Sequence, residues 1–300
     1  MTAKVILNPY SNRWNAQKRW PQAETALRNA GVEFELAVSK GPGDIAELTR
    51  QAIKEGFSPI IAAGGDGTIG EMVNALAHAS EDKAQLTPVG ILPLGTANDL
   101  AYALKIPFDL TEAAKLIAAG NIRPMDMGKA NDIYFANNSA LGLEPYVTVI
   151  QNKITWIQGI ARYLVSAVLA IMDRPTWKAH LEWDGGSYDG PVSLVYVGNG
   201  PRSGGVFFMG PHADPFDGKL TIVYGHRATR RGMFALLPKT MKPDAGSYVE
   251  SPGMFELNVS WLKVHLENPS PAHTDGELFS TACTSIEYGI LPGRLKMLLP

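Results

Sequence analysis

One segment limits the folds open to this chain more than any other: Ala63-Gly64-Gly65-Asp66-Gly67-Thr68-Ile69-Gly70-Glu71. Four apolar residues, Ile60 to Ala63, lead into it, and a helix-like pattern from Glu71 to His78 leads out. A buried strand that ends in glycines and opens a helix makes a site for an anion. Glycine lets the backbone approach closely, and the first N–H groups of a helix have no internal partner. Asp66, Thr68 and Glu71 add polar groups able to hold a ribose, a metal ion or a charged side chain. The pattern is neither GxGxxG nor GxxxxGK[ST]. The two commonest nucleotide motifs are therefore excluded at this position, and another nucleotide fold is required.

The first 120 residues alternate strand and helix signals. Strands are expected at Val5 to Leu7, Glu33 to Val38, Pro59 to Ala63 and Val89 to Leu92. Helices are expected over Ala16 to Ala30 (interrupted near Pro21), from a cap at Asp44 to Gly56, after the glycine loop, up to Leu104, and from a cap at Thr111 to Ala119. Such alternation implies a parallel sheet covered on both faces, with ligands beyond the carboxyl ends of its strands. The glycine loop lies there. So does a second loop, Pro93-Leu94-Gly95-Thr96-Ala97-Asn98-Asp99. After residue 124 the pattern changes to short strands of period two, with Asp184-Gly185-Gly186 as a hairpin turn. Helix-like insertions are expected at Ile154 to Met172 and Arg230 to Lys239. The expected architecture is an α/β nucleotide-binding domain, 1–124, followed by a mainly antiparallel β-sandwich domain, 125–300. The tail Arg294 to Leu299 could return to the first domain.

Length and composition support a folded chain and exclude several partners. Over 300 residues, 45% are hydrophobic and 19% charged, as in a globular protein with a sizeable core. The net charge of −2 gives no general attraction to nucleic acid or anionic lipid. A single cysteine, Cys283, excludes an internal disulfide framework and suits a reducing compartment. The N-terminus lacks a signal-like apolar run, and Ile154 to Met172 falls short of a membrane span. A cytoplasmic chain is expected, with at most surface contact at the inner membrane face, and a homodimer is compatible with the sequence.

Two further groups of residues can carry chemistry. Asp214 and Asp217, with a turn at Gly218, can present oxygens to a hard divalent cation or simply form a solvated turn. His273-Thr274-Asp275-Gly276-Glu277 sets two carboxylates around a glycine, and one of them could take a proton from a hydroxyl. His273 itself reads as structural. Arg13 and Lys18 are nearby cations able to reach phosphates. Ser39 and Asp44 follow the second strand.

Taken together these residues resemble the diacylglycerol kinase catalytic-domain superfamily, in particular the bacterial soluble lipid kinases related to sphingosine kinase. The similarity spans nearly the whole chain. Ile6-Leu7-Asn8-Pro9-Tyr10-Ser11 is similar to that family's first strand and Asn-Pro motif. Gly64 to Glu71 resembles its GGDGTxxE signature, Pro93 to Ala101 its second signature, and Asp275-Gly276-Glu277 its late acidic motif. Asp126-Met127-Gly128 and Phe135 to Asn138 resemble its entry into the β domain.

The resemblance implies a Rossmann-like first domain of the NAD kinase and phosphofructokinase type, and a phosphotransferase acting on a lipid hydroxyl at the membrane surface. ATP would contact Ser39, Gly64, Gly65, Asp66, Gly67, Thr68, Ile69, Gly70 and Thr96. Asp275 would accept the proton of the lipid hydroxyl with Glu277 beside it, and Asp66 would lie near the phosphates and a catalytic magnesium. Asp214, Asp217 and the carbonyl of Lys219 would hold a structural magnesium. Two departures from the family pattern bear on the site: Asn12 stands where glycine is usual, and Gly70 where asparagine is common. The rival readings are NAD kinase, which shares a GGDGT loop, and a catalytically silent nucleotide- or lipid-binding regulator. The intact Asp66, Asp275 and Glu277 argue against the regulator.

Overall fold

The computed structural model describes residues 2–79, 86–154, 156–157, 159–173 and 175–300. It divides into two units, one formed by 1–127 with 292–300 and the other by 128–291. The chain passes between them twice, in strands β5 (Ile122–Ala130) and β16 (Glu277–Leu298).

In the first unit, β1 (Ala3–Leu7), α1 (Asn15–Asn29), β2 (Phe34–Val38), α2 (Asp44–Lys54), β3 (Ile60–Gly64), α3 (Asp66–Ala79), β4 (Val89–Pro93), α4 (Asp99–Ala103) and α5 (Leu110–Ala119) precede β5. The strands pair in the order β4-β3-β1-β2, all parallel. Strands β3 and β4 are buried at every position, as strands of a sheet covered on both faces must be. Helix α1 places Ala16, Trp20, Ala23 and Leu27 on one buried face. It runs unbroken through Pro21, which lies on its exposed side, contrary to the interruption expected there. Two expected caps also move. Asp109, not Thr111, caps α5 by accepting the Thr111 and Glu112 N–H groups. Gly43 precedes α2 in a left-handed conformation, while Asp44 accepts the Lys40 N–H. At the end of the chain, Met297 of β16 pairs in parallel with Val89 of β4, and the Leu299 N–H donates to the Asn121 carbonyl.

The second unit contains β6 (Ile133–Phe135), β7 (Asn138–Gly142), α6 (Leu143–Lys153), α7 (Gly159–Asp173), β8 (Trp177–Trp183), β9 (Gly186–Val192), β10 (Leu194–Gly198), β11 (Arg202–Ser203), β12 (Phe207–Phe208), β13 (Leu220–Gly225), α8 (Arg230–Leu236), β14 (Met254–Val259) and β15 (Trp261–Thr274). Antiparallel pairs run β14-β13-β10-β7-β15. Strand β15 changes partner along its length: Leu262 to Leu266 pair with β8, and Ala272 to Thr274 with β7. The register slips between His265 and Ala272, where Pro269 and Pro271 cannot donate to a ladder, so the pairing is interrupted between the two partners. Strand β8 alternates buried and exposed residues from Trp177 to Glu182, the mark of a sheet with one wet face.

The helix-like stretch expected from Ile154 to Met172 is α7, which starts only at Gly159; α6, which ends at Lys153, precedes the stretch and was not expected. Trp156 lies in neither and is exposed; Gln158 and the side chain of Ile160 lie outside the described residues. The stretch from Arg230 is α8 followed by a 3-10 turn, Leu237–Met241.

Two buried phenols tie this unit to pH. Burial pushes the Tyr248 hydroxyl well above its ordinary value, and the group donates to the Met209 carbonyl. Burial also raises Tyr288, against a weaker opposite pull from Ser139. A folded-state value above the unfolded one means stability that is complete below the unfolded value, near 10.0, and is lost as pH rises past it. Phenolate absorbance followed with circular dichroism should therefore show these two tyrosines ionising only as the unit unfolds. Ionisation of all tyrosines with the fold intact would contradict their burial.

Candidate active site

The parallel register of the first unit sets Leu7, Val38, Gly64 and Pro93 at one sheet edge. The segments that follow these four strands meet there. The expected glycine loop is shorter than its sequence suggests, because α3 begins at Asp66 rather than Glu71. The Thr68 and Ile69 N–H groups both return to the Gly65 carbonyl. Ile69 is buried in the core, so neither its side chain nor its N–H is turned to the loop. The donors at the start of α3 are thus the N–H groups up to Gly67, and the helix dipole adds its positive end.

The two glycine turns are packed backbone to backbone. A Cβ on Gly95 would overlap the Gly65 Cα and lie 2.6 Å from Asn98 Oδ1. Asn98, left-handed at φ 50°, clamps Gly95 from both sides: its Oδ1 accepts the Gly95 N–H at 3.0 Å and its Nδ2 donates to the Gly95 carbonyl at 3.2 Å. Asp66 Oδ1 accepts the Leu100 N–H at 3.0 Å, tying the start of α3 to the start of α4. Thr68 Oγ1 receives Asn8 Nδ2 at 3.0 Å and lies 3.3 Å from Ser11 Oγ, which joins β1's loop to the same cluster. Thr96 donates to Asn12 Oδ1 at 3.0 Å. Asn12 does adopt the left-handed conformation that glycine would take, at φ 51°, and Arg13 and Trp14 follow it at 51° and 72°. Such a run in ordinary residues persists only where the surroundings enforce it.

Ser39 is buried at the end of β2, where its N–H donates to Leu7 and its hydroxyl to the Gly41 carbonyl. Glu71 accepts the Ala46 N–H and so braces α2 against α3. Arg13 and Lys18 are exposed. The cation that reaches the strand ends is one the sequence reading passed over: Arg19 Nη1 donates to the Pro93 carbonyl at 3.3 Å. It stands one position beyond Lys18, on the next face of α1.

The second unit gathers its own polar edge. The end of β15, the start of β7, the end of β10 and the start of β13 lie in register there. Asp275, left-handed at φ 47° and buried, sits in the turn between β15 and β16. Its Oδ1 accepts the Asn137 and Asn138 N–H groups at 2.8 and 3.0 Å, and its Oδ2 the Ala136 N–H at 2.9 Å. Its own N–H donates to the Asn138 carbonyl. Glu277, two residues on, is exposed, so the two carboxylates have different surroundings.

The Asp214 to Lys219 loop enters β13 at this edge. Asp214 Oδ1 accepts the Phe216 N–H and Asp217 Oδ1 the Lys219 N–H. The Lys219 ammonium is directed to Ser260 Oγ at 2.7 Å and lies 3.9 Å from Asp184. Burial would raise the Asp184 carboxyl, but bonds from Ser260 and the Lys219 charge hold it below the ordinary range. Among the described residues no group of three or more His, Cys, Asp or Glu could hold a metal. Two carboxylates and a carbonyl in one exposed loop form an oxygen-only set, which suits a hard divalent cation.

Toward the other end of these strands, where Gly142, Leu194 and Gly225 lie in register, the second unit contains a pocket that opens to solvent. Val147, Ala167, Ile171, Phe207, Met209 and Met233 give it an apolar lining. No helix among the described residues is long and apolar enough to cross a membrane.

Residues 2–130 match the diacylglycerol kinase catalytic domain, and 138–299 match the YegS C-terminal NAD kinase beta sandwich-like domain. The chain belongs to the diacylglycerol kinase and YegS family of lipid kinases. Members of this family resemble it along almost their whole length. The chain is 30% identical over 285 residues to a Chromohalobacter salexigens protein named "Probable lipid kinase YegS-like", covering 93% of this chain and 88% of that one. It is 29% identical over 295 residues to a Bacillus subtilis diacylglycerol kinase, covering 97% and 92%. A solved diacylglycerol kinase structure from Bacillus anthracis superposes with a TM-score of 0.75 at 23% identity, over 100% of this chain and 97% of that one, and so shares the fold.

Proposed function

We propose that the chain is an ATP- and magnesium-dependent lipid kinase that moves the γ-phosphate of ATP to the hydroxyl of diacylglycerol or a related lipid at a membrane surface. The observation that carries this reading is the fusion of the Gly64-Gly65 and Gly95 turns at the carboxyl edge of the parallel sheet, where the first N–H groups of α3 are presented. Phosphoryl transfer asks a protein mainly for positioning and charge neutralisation. The glycine turns, with Thr68, Thr96 and Ser39 around them, hold the nucleotide phosphates, and Asp66 fixes α4 beside them. Asp66 would lie beside a magnesium that would supply neutralisation of phosphate charge, and the Asp214 and Asp217 carboxylates with the Lys219 carbonyl would hold a separate, structural one that would brace their loop. Asp275 takes the proton from the lipid O–H as that oxygen bonds to the γ-phosphorus and ADP departs, giving the lipid phosphate and a protonated carboxyl. The apolar pocket of the second unit takes the acyl chain.

Incubation with γ-labelled ATP, with and without magnesium, against diacylglycerol, sphingosine, ceramide and NAD tests the proposal. Label extracted with a lipid, and only when magnesium is present, is the expected result. Label in NAD alone would overturn it in favour of an NAD kinase, and ATP binding without transfer would leave a silent regulator.

A further inference from the structure

The glycine turns account for the phosphates of a nucleotide, but they offer nothing flat and apolar to its base. The loop after β1 does. It carries two aromatic side chains that the fold leaves in water: Tyr10 is 40% exposed and Trp14 51%. They pack edge to face, with ring centroids 4.4 Å apart and planes at 66°. Rings of this size forgo most of their stabilisation when they are not buried. The core does not use them, since the buried face of α1 starts beyond them, at Ala16 and Trp20.

The pair is also held rigidly, against the preference of the backbone. Asn12, Arg13 and Trp14 are left-handed in succession, at φ 51°, 51° and 72°. That conformation is unfavourable for residues with a Cβ, and runs of it gather at ligand sites, where the strain serves the geometry. The Tyr10 N–H donates to Asn8 Oδ1 at 3.1 Å, and its hydroxyl donates to the Lys40 carbonyl at 2.8 Å. Tyr10 thus ties the loop after β1 to the loop after β2 that carries Ser39. The Trp14 N–H donates to the Tyr10 carbonyl, so the indole is fixed against a ring that is itself fixed.

Placement supplies the ligand. The strand order β4-β3-β1-β2 sets the loops after β1 and β2 beside the two glycine turns. Residues on either side of Tyr10 touch those turns directly: Asn8 donates to Thr68, and Asn12 accepts from Thr96. A nucleoside whose phosphates rest on the turns has this exposed indole within the same cluster of loops.

We propose that Trp14, backed by Tyr10, is the platform on which the base of the bound nucleotide stacks. The inference rests on the reading of the glycine turns as a nucleotide site and extends that site from the phosphates to the base. Stacking uses the π face that every base has, so the platform adds affinity without reading the edge of the base.

The test is isothermal titration of the full chain with ADP and with pyrophosphate, each in the presence of magnesium. Trp14→Asn removes the ring and places at φ 72° a residue that tolerates the left-handed conformation, so a lost affinity cannot be laid to new strain. Affinity for ADP should fall by at least about tenfold, the scale of one base–aromatic stack, while affinity for pyrophosphate stays within about twofold. Trp14→Phe keeps a flat ring and should recover most of the ADP affinity. In turnover, Trp14→Asn should raise the KM for ATP and leave kcat unchanged, as expected for a contact equally strong in the ground and transition states. Unchanged ADP affinity in folded Trp14→Asn would overturn the proposal. So would an equal loss of ADP and pyrophosphate, which would mean that the loop only shapes the glycine turns. The two ideas fail separately. ADP binding that depends on Trp14, without phosphorylation of any lipid, would sink the kinase reading alone. Phosphorylation of a lipid with an unmoved KM for ATP in Trp14→Asn would sink the platform alone.

Discussion

Asp275→Asn should lower turnover by at least about a hundredfold, the usual contribution of a general base, while ATP binding stays nearly intact. Asparagine is the right replacement because position 275 is left-handed, at φ 47°, a conformation that Asp and Asn tolerate better than other side chains with a Cβ. An alanine would add backbone strain to the loss of the carboxylate and blur the result. The substitution is not silent structurally. The Oδ1 of asparagine can still receive the Asn137 and Asn138 N–H groups, but its amide then faces the Ala136 N–H, donor against donor. That mismatch costs about 1–3 kcal/mol of stability. Thermal melting and nucleotide binding must therefore be measured beside the rate. Normal turnover in a folded variant would remove Asp275 from the mechanism.

Gly95→Ala should be the more damaging change to the first unit, although it adds a single methyl group. The new carbon would strike the Gly65 backbone and the Asn98 side chain. Neither can yield cheaply: the Gly65 carbonyl accepts the Thr68 and Ile69 N–H groups, and Asn98 is fixed by two bonds to Gly95 itself. Overpacking of this kind costs about 1–3 kcal/mol, and the relief available is separation of the two turns. Separation would also break the Asp66 bond to Leu100. Isothermal titration with a non-hydrolysable ATP analogue should show affinity falling by at least about tenfold, in line with the upper part of that range. Affinity within twofold of the native protein would mean that the close approach of the turns is not what shapes the nucleotide site.

Both arguments use residues that the sequence singled out, but neither could be made from the sequence. Strand β3 and the turn after it are legible because a run of apolar residues and a run of glycines are local signals. That Gly65 touches Gly95 depends on β3 and β4 lying side by side. Helix α6 escaped notice because its start carries no capping side chain: the Leu143 N–H is satisfied by the carbonyl of Ser193, fifty residues along the chain. The acidic motif at Asp275 was plain, whereas its cradle of three N–H groups belongs to a segment well over a hundred positions earlier. Arg19 was hidden among neighbouring cations until α1 was placed against β4.

The return of residues 292–300 to the first unit has a consequence for how this protein is made. Leu295, Met297, Leu298 and Leu299 are buried there, and Met297 supplies the neighbour that edge strand β4 otherwise lacks. On the ribosome these residues emerge only after the whole β-sandwich unit has been synthesised. The first unit, although it is encoded first, is completed last. A prematurely terminated chain thus presents an unfinished sheet edge for quality control to recognise, rather than a finished first unit.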